Sequence, residues 1–168
     1  MFSIFKYFQK SSISPNNKKF LIVGLGNIGE EYKNTRHNIG FDIVDRVGKI
    51  LKGTFNSAKY GDILKSKYAG KQIILLKPNT FMNLSGKAVL YWLKKEKIHT
   101  NNLIVIVDDL NINFGVSRLK PSGSDGGHNG LKDIVNSLNT SNFPRLRFGI
   151  GNNFKKKDQV DFVLSKWN

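Results

Sequence analysis

The chain has 168 residues, enough for one domain with a substantial core, and its 39% hydrophobic content with 12 Phe argues against disorder. It contains no cysteine, which excludes disulfides, thiolate nucleophiles, iron–sulfur clusters and Cys-based zinc sites; three histidines (His37, His99, His128) are too few for a His-rich metal site. The formal charge of +15, from 27 Lys and Arg against 12 Asp and Glu, favours a polyanionic partner, nucleic acid before an anionic membrane, over the bland reading of a lysine-rich composition.

Residues 1–19 carry Lys6, Lys10, Lys18 and Lys19 and no acid. Lys6 interrupts the apolar residues, so the segment lacks the continuous stretch of a secretory signal, and it has none of the Arg a transit peptide prefers. It reads as a basic, flexible leader. No stretch approaches the ~18 apolar residues a membrane span needs, so a soluble cytoplasmic protein is expected.

Phe20–Leu25 (FLIVGL) is a continuous apolar run ending in glycines, the pattern of a buried strand. From Ile39 to Leu51 the apolar residues recur at helical spacing. Asp62–Tyr68 and Gln72–Leu76 read as two strands joined tightly around Gly70, and Ser85–Lys97 as a helix with Ala88, Val89, Trp92 and Leu93 on one face. Leu103–Val107 is a second buried strand, Val116–Leu119 a shorter one, Asn129–Leu138 a helix and Leu146–Ile150 a last strand. Val160–Leu164 is apolar, short and strand-like. Alternating strands and helices predict one α/β domain in three layers, a mixed twisted sheet flanked by helices, over residues 20–168.

Four motifs bear on chemistry. Gly24, Gly26 and Gly29 match the dinucleotide fingerprint G-x-G-x-x-G after a strand, with Asp42 and Asp45 near the acidic position. The polar stretch EEYKNTRHN stands where that site needs a helix, so a nicotinamide-dependent oxidoreductase ranks behind a reading in which the polar loop residues Asn27, Tyr32, Asn34, Thr35, Arg36, His37 and Asn38 line a site beyond a strand end. His37 there suits a general base; its bland reading is a helix-start residue beside an N-cap at Asn38. Asp108-Asp109, at the tip of the second buried strand, offers a carboxylate to orient an imidazole, against ordinary turn chemistry. Phe81-Met82-Asn83 would place Asn83 as an N-cap by default. The glycine-rich Ser122–Asp133 loop could expose amides to an oxyanion or phosphate, but it lacks the Gly-Lys-Ser/Thr ending of a P-loop.

The blocks GLGNIGEEYKNTRHNIGFDIVD, KPNTFMNLSGKAV, VDDLNINFG and GGHNGLKDI…FPRLRFGIG, in this order, closely resemble the bacterial-type peptidyl-tRNA hydrolase family over most of Phe20–Leu164. The resemblance implies hydrolysis of the ester between a nascent peptide and tRNA, with no cofactor and no metal, tRNA as partner, no membrane, and a monomer. It implies His37 as the base that activates water, Asp108 as its stabilising carboxylate and Asn27 beside them. Tyr32, Phe81, Asn83 and Asn129 match positions contacting the acceptor end and the peptide, with Met82 and His128 as supporting members. Arg118, Lys120, Arg147 and Lys156 are the provisional phosphate contacts. Relative to the family pattern, the chain stops after FVLSKWN, short of a further C-terminal helix, which raises the expectation of reduced stability and tRNA affinity. A non-catalytic RNA-binding relative would account for the charge but not for an intact His37, Asp108 and asparagine set.

Overall fold

The computed structural model describes residues 18–167, the side chain of Lys156 excepted, so residues 1–17 of the expected leader lie outside the described residues. Strand β1 is Lys19–Gly24, and the Lys18 carbonyl accepts from the Gln72 amide at 2.8 Å. β1 is buried from Phe20 onward, and β5 (Leu103–Asp109), its parallel neighbour, is buried throughout. A strand covered on both faces must be apolar on both, which explains two unbroken apolar runs instead of alternation.

The seven-stranded sheet has the order β2-β3-β4-β1-β5-β7-β6. β4 (Lys71–Pro78), β1, β5 and β7 (Arg145–Gly149) run parallel, and β3 (Gly61–Tyr68) pairs antiparallel with β4 as the expected hairpin. β2 (Asn56–Ala58), which the sequence did not reveal, edges one side, and β6 (Ser117–Lys120) edges the other. Helix α1 (Ile39–Ile50) covers one face, where Val44 and Val47 meet Phe20, Ile22, Ile104 and Ile106. Helices α2 (Ser85–Glu96) and α3 (Asn129–Leu138) cover the other, burying Trp92, Leu93, Leu131 and Ile134 against Leu21, Val23, Val105 and Val107. The architecture is the expected three-layer α/β domain with a mixed sheet.

Two terminal expectations change. The strand-like Val160–Leu164 segment is a short helix, α4 (Gln159–Leu164), and its Val160, Val163 and Leu164 fall on one side at helical spacing. Asn83 is not an N-cap: it lies inside the 3-10 turn Met82–Leu84, and Leu84 occupies the cap position of α2. The free amide of Gly86 in the first turn of α2 is instead bound by the Asp133 carboxylate of α3 at 2.6 Å, which ties the two helices together.

The junction of β1 and α1 sets the geometry of everything above it. Gly24 and Gly40 face each other so closely that a Cβ on Gly24 would collide with the Gly40 carbonyl, and one on Gly40 would lie 2.7 Å from the Ile106 carbonyl oxygen. Without side chains at these positions the start of α1 rests directly on the ends of β1 and β5. The residues just before α1 are thereby laid across the tip of β5.

Candidate active site

A cleft of about 400 Å³ opens beyond the carboxyl ends of the parallel strands, lined among others by Asn27, His37, Phe81, Met82, Asn83, Asp108, His128 and Asn129. His37 belongs to a 3-10 turn, Arg36–Asn38, that runs into α1, and Asp108 is the penultimate residue of β5. His37 Nδ1 lies 2.9 Å from Asp108 Oδ1, and the side chains are only 13% and 4% exposed. His128 Nε2 reaches the same oxygen at 3.0 Å. The two rings lie 5.1 Å apart, centroid to centroid.

The tautomers follow from the partners. His128 caps α3: its Nδ1 accepts the Leu131 amide at 3.3 Å, so the proton sits on Nε2, which donates to Asp108. An ionised Asp108 can only accept, so His37 donates from Nδ1 and turns an unprotonated Nε2 away from it, into the cleft. Burial alone would raise the Asp108 carboxyl, but His128, and then His37, through their hydrogen bonds and, when protonated, their charge, hold it well below the usual carboxylate range. It is a fixed negative charge behind a free imidazole nitrogen.

Among the described residues His37, Asp108 and His128 also form the one group whose donor atoms, all within 4.8 Å, are spaced to hold a metal ion. One nitrogen of each histidine is hydrogen-bonded to Asp108, and turning the His128 Nε2 lone pair toward an ion would put a proton on Nδ1 against the Leu131 amide. His37 Nδ1, His128 Nε2 and Asp108 Oδ1 are thus already engaged with one another.

The asparagines are held by one another. Asn38 stands at the cap position of α1 but makes no capping bond; its side chain instead clamps the Asn27 backbone, accepting from the Asn27 amide at 2.8 Å and donating to the Asn27 carbonyl at 2.9 Å. Asn27 Oδ1 accepts the Met82 amide at 2.8 Å. With its oxygen so occupied, the Asn27 NH2 group is the part left to face the cleft. Asn83, Asn129 and the half-exposed Phe81 ring line the rim. Tyr32 lies apart from the cleft wall: it ends the 3-10 turn Glu30–Tyr32, half-buried, with its carbonyl accepting the Thr35 hydroxyl.

The two neighbouring acids divide their work. Asp109 turns to Arg147 in an ion pair and accepts the Asn111 amide at 2.8 Å, so Arg147 reaches the cleft wall already tied to a carboxylate. Arg118 and Lys120 are exposed on edge strand β6, and Lys156 begins a 3-10 turn before α4. The glycine loop brings Asp125, Gly126 and Gly127 to the wall, anchored from behind by the buried Arg145, which donates to the Ser124 carbonyl at 2.9 Å.

Three contributors are not evident in the sequence. Asn38 reads there as an ordinary cap. The α4 residues Gln159, Val160, Val163 and Leu164, which close one side of the cleft, carry a readable signal in their helical spacing. Arg36 stands in the polar loop, but its partners carry no signal: its guanidinium bonds Ser165 Oγ and the Lys166 carbonyl and stacks 4.5 Å from the Phe162 ring, fastening α4 to the His37 turn.

Comparison with known proteins identifies the family and the fold. Residues 21–168 match the family model described as peptidyl-tRNA hydrolase. The peptidyl-tRNA hydrolase of Parabacteroides distasonis is 55% identical over 149 residues, covering 89% of this chain and 80% of its own length. That of Phocaeicola vulgatus is 56% identical over 146 residues, with coverage of 87% and 78%. The crystal structure of peptidyl-tRNA hydrolase from Acinetobacter baumannii superimposes with a TM-score of 0.86 at 39% identity, covering 93% of this chain and 80% of that one. On matches this extensive, in sequence and in fold, the chain belongs to the peptidyl-tRNA hydrolase family.

Proposed function

We propose that this chain hydrolyses the ester joining a nascent peptide to the terminal ribose of tRNA, releasing the peptide and free tRNA, with His37 as general base. The observation that carries the assignment is the shared Asp108 oxygen: it fixes the His37 tautomer and leaves Nε2 free in the cleft. In this reading Nε2 removes a proton from a water as the water oxygen bonds to the ester carbonyl carbon. Asp108 stabilises the imidazolium that forms. The carbonyl oxygen becomes an oxyanion, and the Asn27 NH2, held by Met82 and Asn38, is the preorganised donor toward it. As the C–O bond to ribose breaks, the imidazolium returns its proton to the leaving ribose oxygen.

Asn83 and Asn129 on the rim suit an uncharged peptide backbone, because each amide offers both a donor and an acceptor. The exposed face of Phe81 suits stacking by an unpaired base of the acceptor end. Tyr32 is kept among the substrate contacts on family resemblance, as one reached by a substrate extending beyond the cleft. Arg118, Lys120, Arg147 and Lys156 are the proposed phosphate contacts, Arg147 after exchange of its Asp109 partner.

The test is release of peptide from N-acetylated aminoacyl-tRNA by wild type and His37→Ala side by side. Loss of the base is expected to lower kcat by about 10²–10⁴ with the fold intact by circular dichroism. Undiminished turnover in the variant would overturn the assignment of His37.

A further inference from the structure

One flank of the molecule carries cations with no role in the cleft chemistry. The turn between β2 and β3 presents Lys59 and Tyr60, and the exposed stripe of α2 presents Lys87, Tyr91 and Lys95. Lys59 Nζ lies 5.3 Å from the Tyr60 ring centroid and 5.1 Å from that of Tyr91. Lys87 lies 5.2 Å from Tyr60, and Lys95 lies 5.6 Å from Tyr91 and 4.7 Å from Trp92. The rings themselves meet edge to face, Tyr60 with Tyr91 at 5.2 Å and Tyr91 with Trp92 at 5.5 Å. Trp92 is buried and fixed by its indole bond to the Lys59 carbonyl at 3.0 Å, so the array stands on a rigid base.

We propose that this lysine–tyrosine flank is an RNA-docking surface that holds the body of the substrate's tRNA while its acceptor end enters the cleft; the inference rests on the function proposed above. Among the described residues none of the three lysines forms an ion pair, and the one acid of α2, Glu96, is taken by Lys19 and Lys65. Exposed, unpaired cations placed over half-buried tyrosine rings combine a phosphate-binding charge with faces on which bases stack. Their ammonium groups are already held near the rings, so less side-chain freedom is lost when a phosphate binds.

The surface is continuous with the cleft. The Asn79 amide donates to the Tyr60 carbonyl at 3.2 Å, and two residues further on Phe81 lines the mouth. From there Lys87, Tyr91 and Lys95 follow at intervals of four along α2, a stripe of about 12 Å at the helical rise. β2 and β3 form the sheet edge opposite β6, so this surface lies across the molecule from Arg118 and Lys120 and is distinct from the phosphate contacts assigned there.

The test uses the full chain with Lys59, Lys87 and Lys95 all changed to Gln, and a second variant with all three changed to Arg. Affinity for uncharged tRNA is measured against salt, and turnover is measured on N-acetylated aminoacyl-tRNA and on the same group carried by adenosine alone. The Gln variant is expected to bind tRNA at least tenfold more weakly, with the slope of log K against log salt reduced by roughly 2–3, at ~0.7–0.9 for each phosphate left without its cation. Its kcat/KM is expected to fall on tRNA through KM and to stay unchanged on the adenosine substrate, and the Arg variant to restore binding. Unchanged tRNA affinity and slope, an equal loss on both substrates, or a loss confined to binding of phosphatidylserine vesicles would overturn the proposal. Because tRNA binding is read without turnover, a lysine-dependent affinity in an inactive wild type would support the surface while refuting the catalytic reading.

Discussion

Replacing Asp108 by Asn separates the charge of the buried carboxylate from its geometry. Both imidazoles bond the same oxygen, Oδ1, at 2.9 and 3.0 Å, and an amide oxygen in that place can accept both. The variant therefore keeps the arrangement of His37 and His128 and loses only the negative charge that meets the imidazolium. Exchanging a charge-assisted hydrogen bond for a neutral one removes about 1–2 kcal/mol. A unit charge pair about 4 Å apart contributes ~4 kcal/mol at an effective dielectric of 20, which bounds the effect from above. Peptide release in single turnover is thus expected to slow by about 10-fold to 10³-fold, at ~1.4 kcal/mol per factor of ten, with substrate affinity little changed. The control is His128→Asn, which removes one donor and leaves the charge, and so is expected to cost less. An Asp108→Asn variant within threefold of wild type would refute the claim that the carboxylate stabilises the charged base.

Two further outcomes follow from the scaffold. Gly40→Ala forces a Cβ against the backbone of Leu25 and Ile106, where no side chain can yield, so it is expected to cost at least about 3 kcal/mol and to lower Tm by roughly 6–12 °C; calorimetry showing a smaller shift would mean the junction can open. Because the folded state holds the Asp108 carboxyl below its unfolded value of about 3.9, its contribution to stability is complete above that pH and is lost as the pH falls further; denaturation followed from pH 6 to 2 is expected to show this loss in wild type and a flatter curve in Asp108→Asn.

The sheet strands and helices were legible because their signals are local. β1 and β5 are apolar on both faces, and α3 coincides with its apolar stripe, Asn129–Leu138. β2 was invisible: of its three residues, Asn56–Ala58, only Ala58 is partly buried, and they exist as a strand through pairing with β3. The pairing of His37 with Asp108 was readable as two chemical groups, one in the loop that follows β1 and one at the tip of β5, while their adjacency depends on β1 and β5 being neighbours in the sheet. The use of Asn38 was not readable. A residue before a helix reads as a cap whenever its side chain can fold back on the backbone, and only the position of Asn27, eleven residues earlier, draws the amide away. The use of Arg36, a residue of the polar loop, escaped for the same reason at longer range, its partners lying 129 and 130 residues on.

The glycine pattern that first suggested a dinucleotide site shows how one local sequence serves two chemistries. A pyrophosphate site needs the helix to start within the loop, so that its first amides aim at the anion. Here two 3-10 turns intervene before α1, and the first carries Glu30 and Glu31, charges that would repel a phosphate. Gly24 and Gly26 are small for another reason: the first lies against the Gly40 backbone, and a Cβ on the second would lie 2.8 Å from the Phe41 ring. The glycines bring helix and strand together rather than strand and ligand together. That close approach carries the polar segment between them over the end of β5, where His37 meets a carboxylate and Asn27 meets Asn38 and Met82. His37 is therefore placed by backbone proximity first and by its own hydrogen bonds second, which is why the glycine junction and Asp108 are expected to fail in different ways: the one by unfolding, the other by slow chemistry in an intact fold.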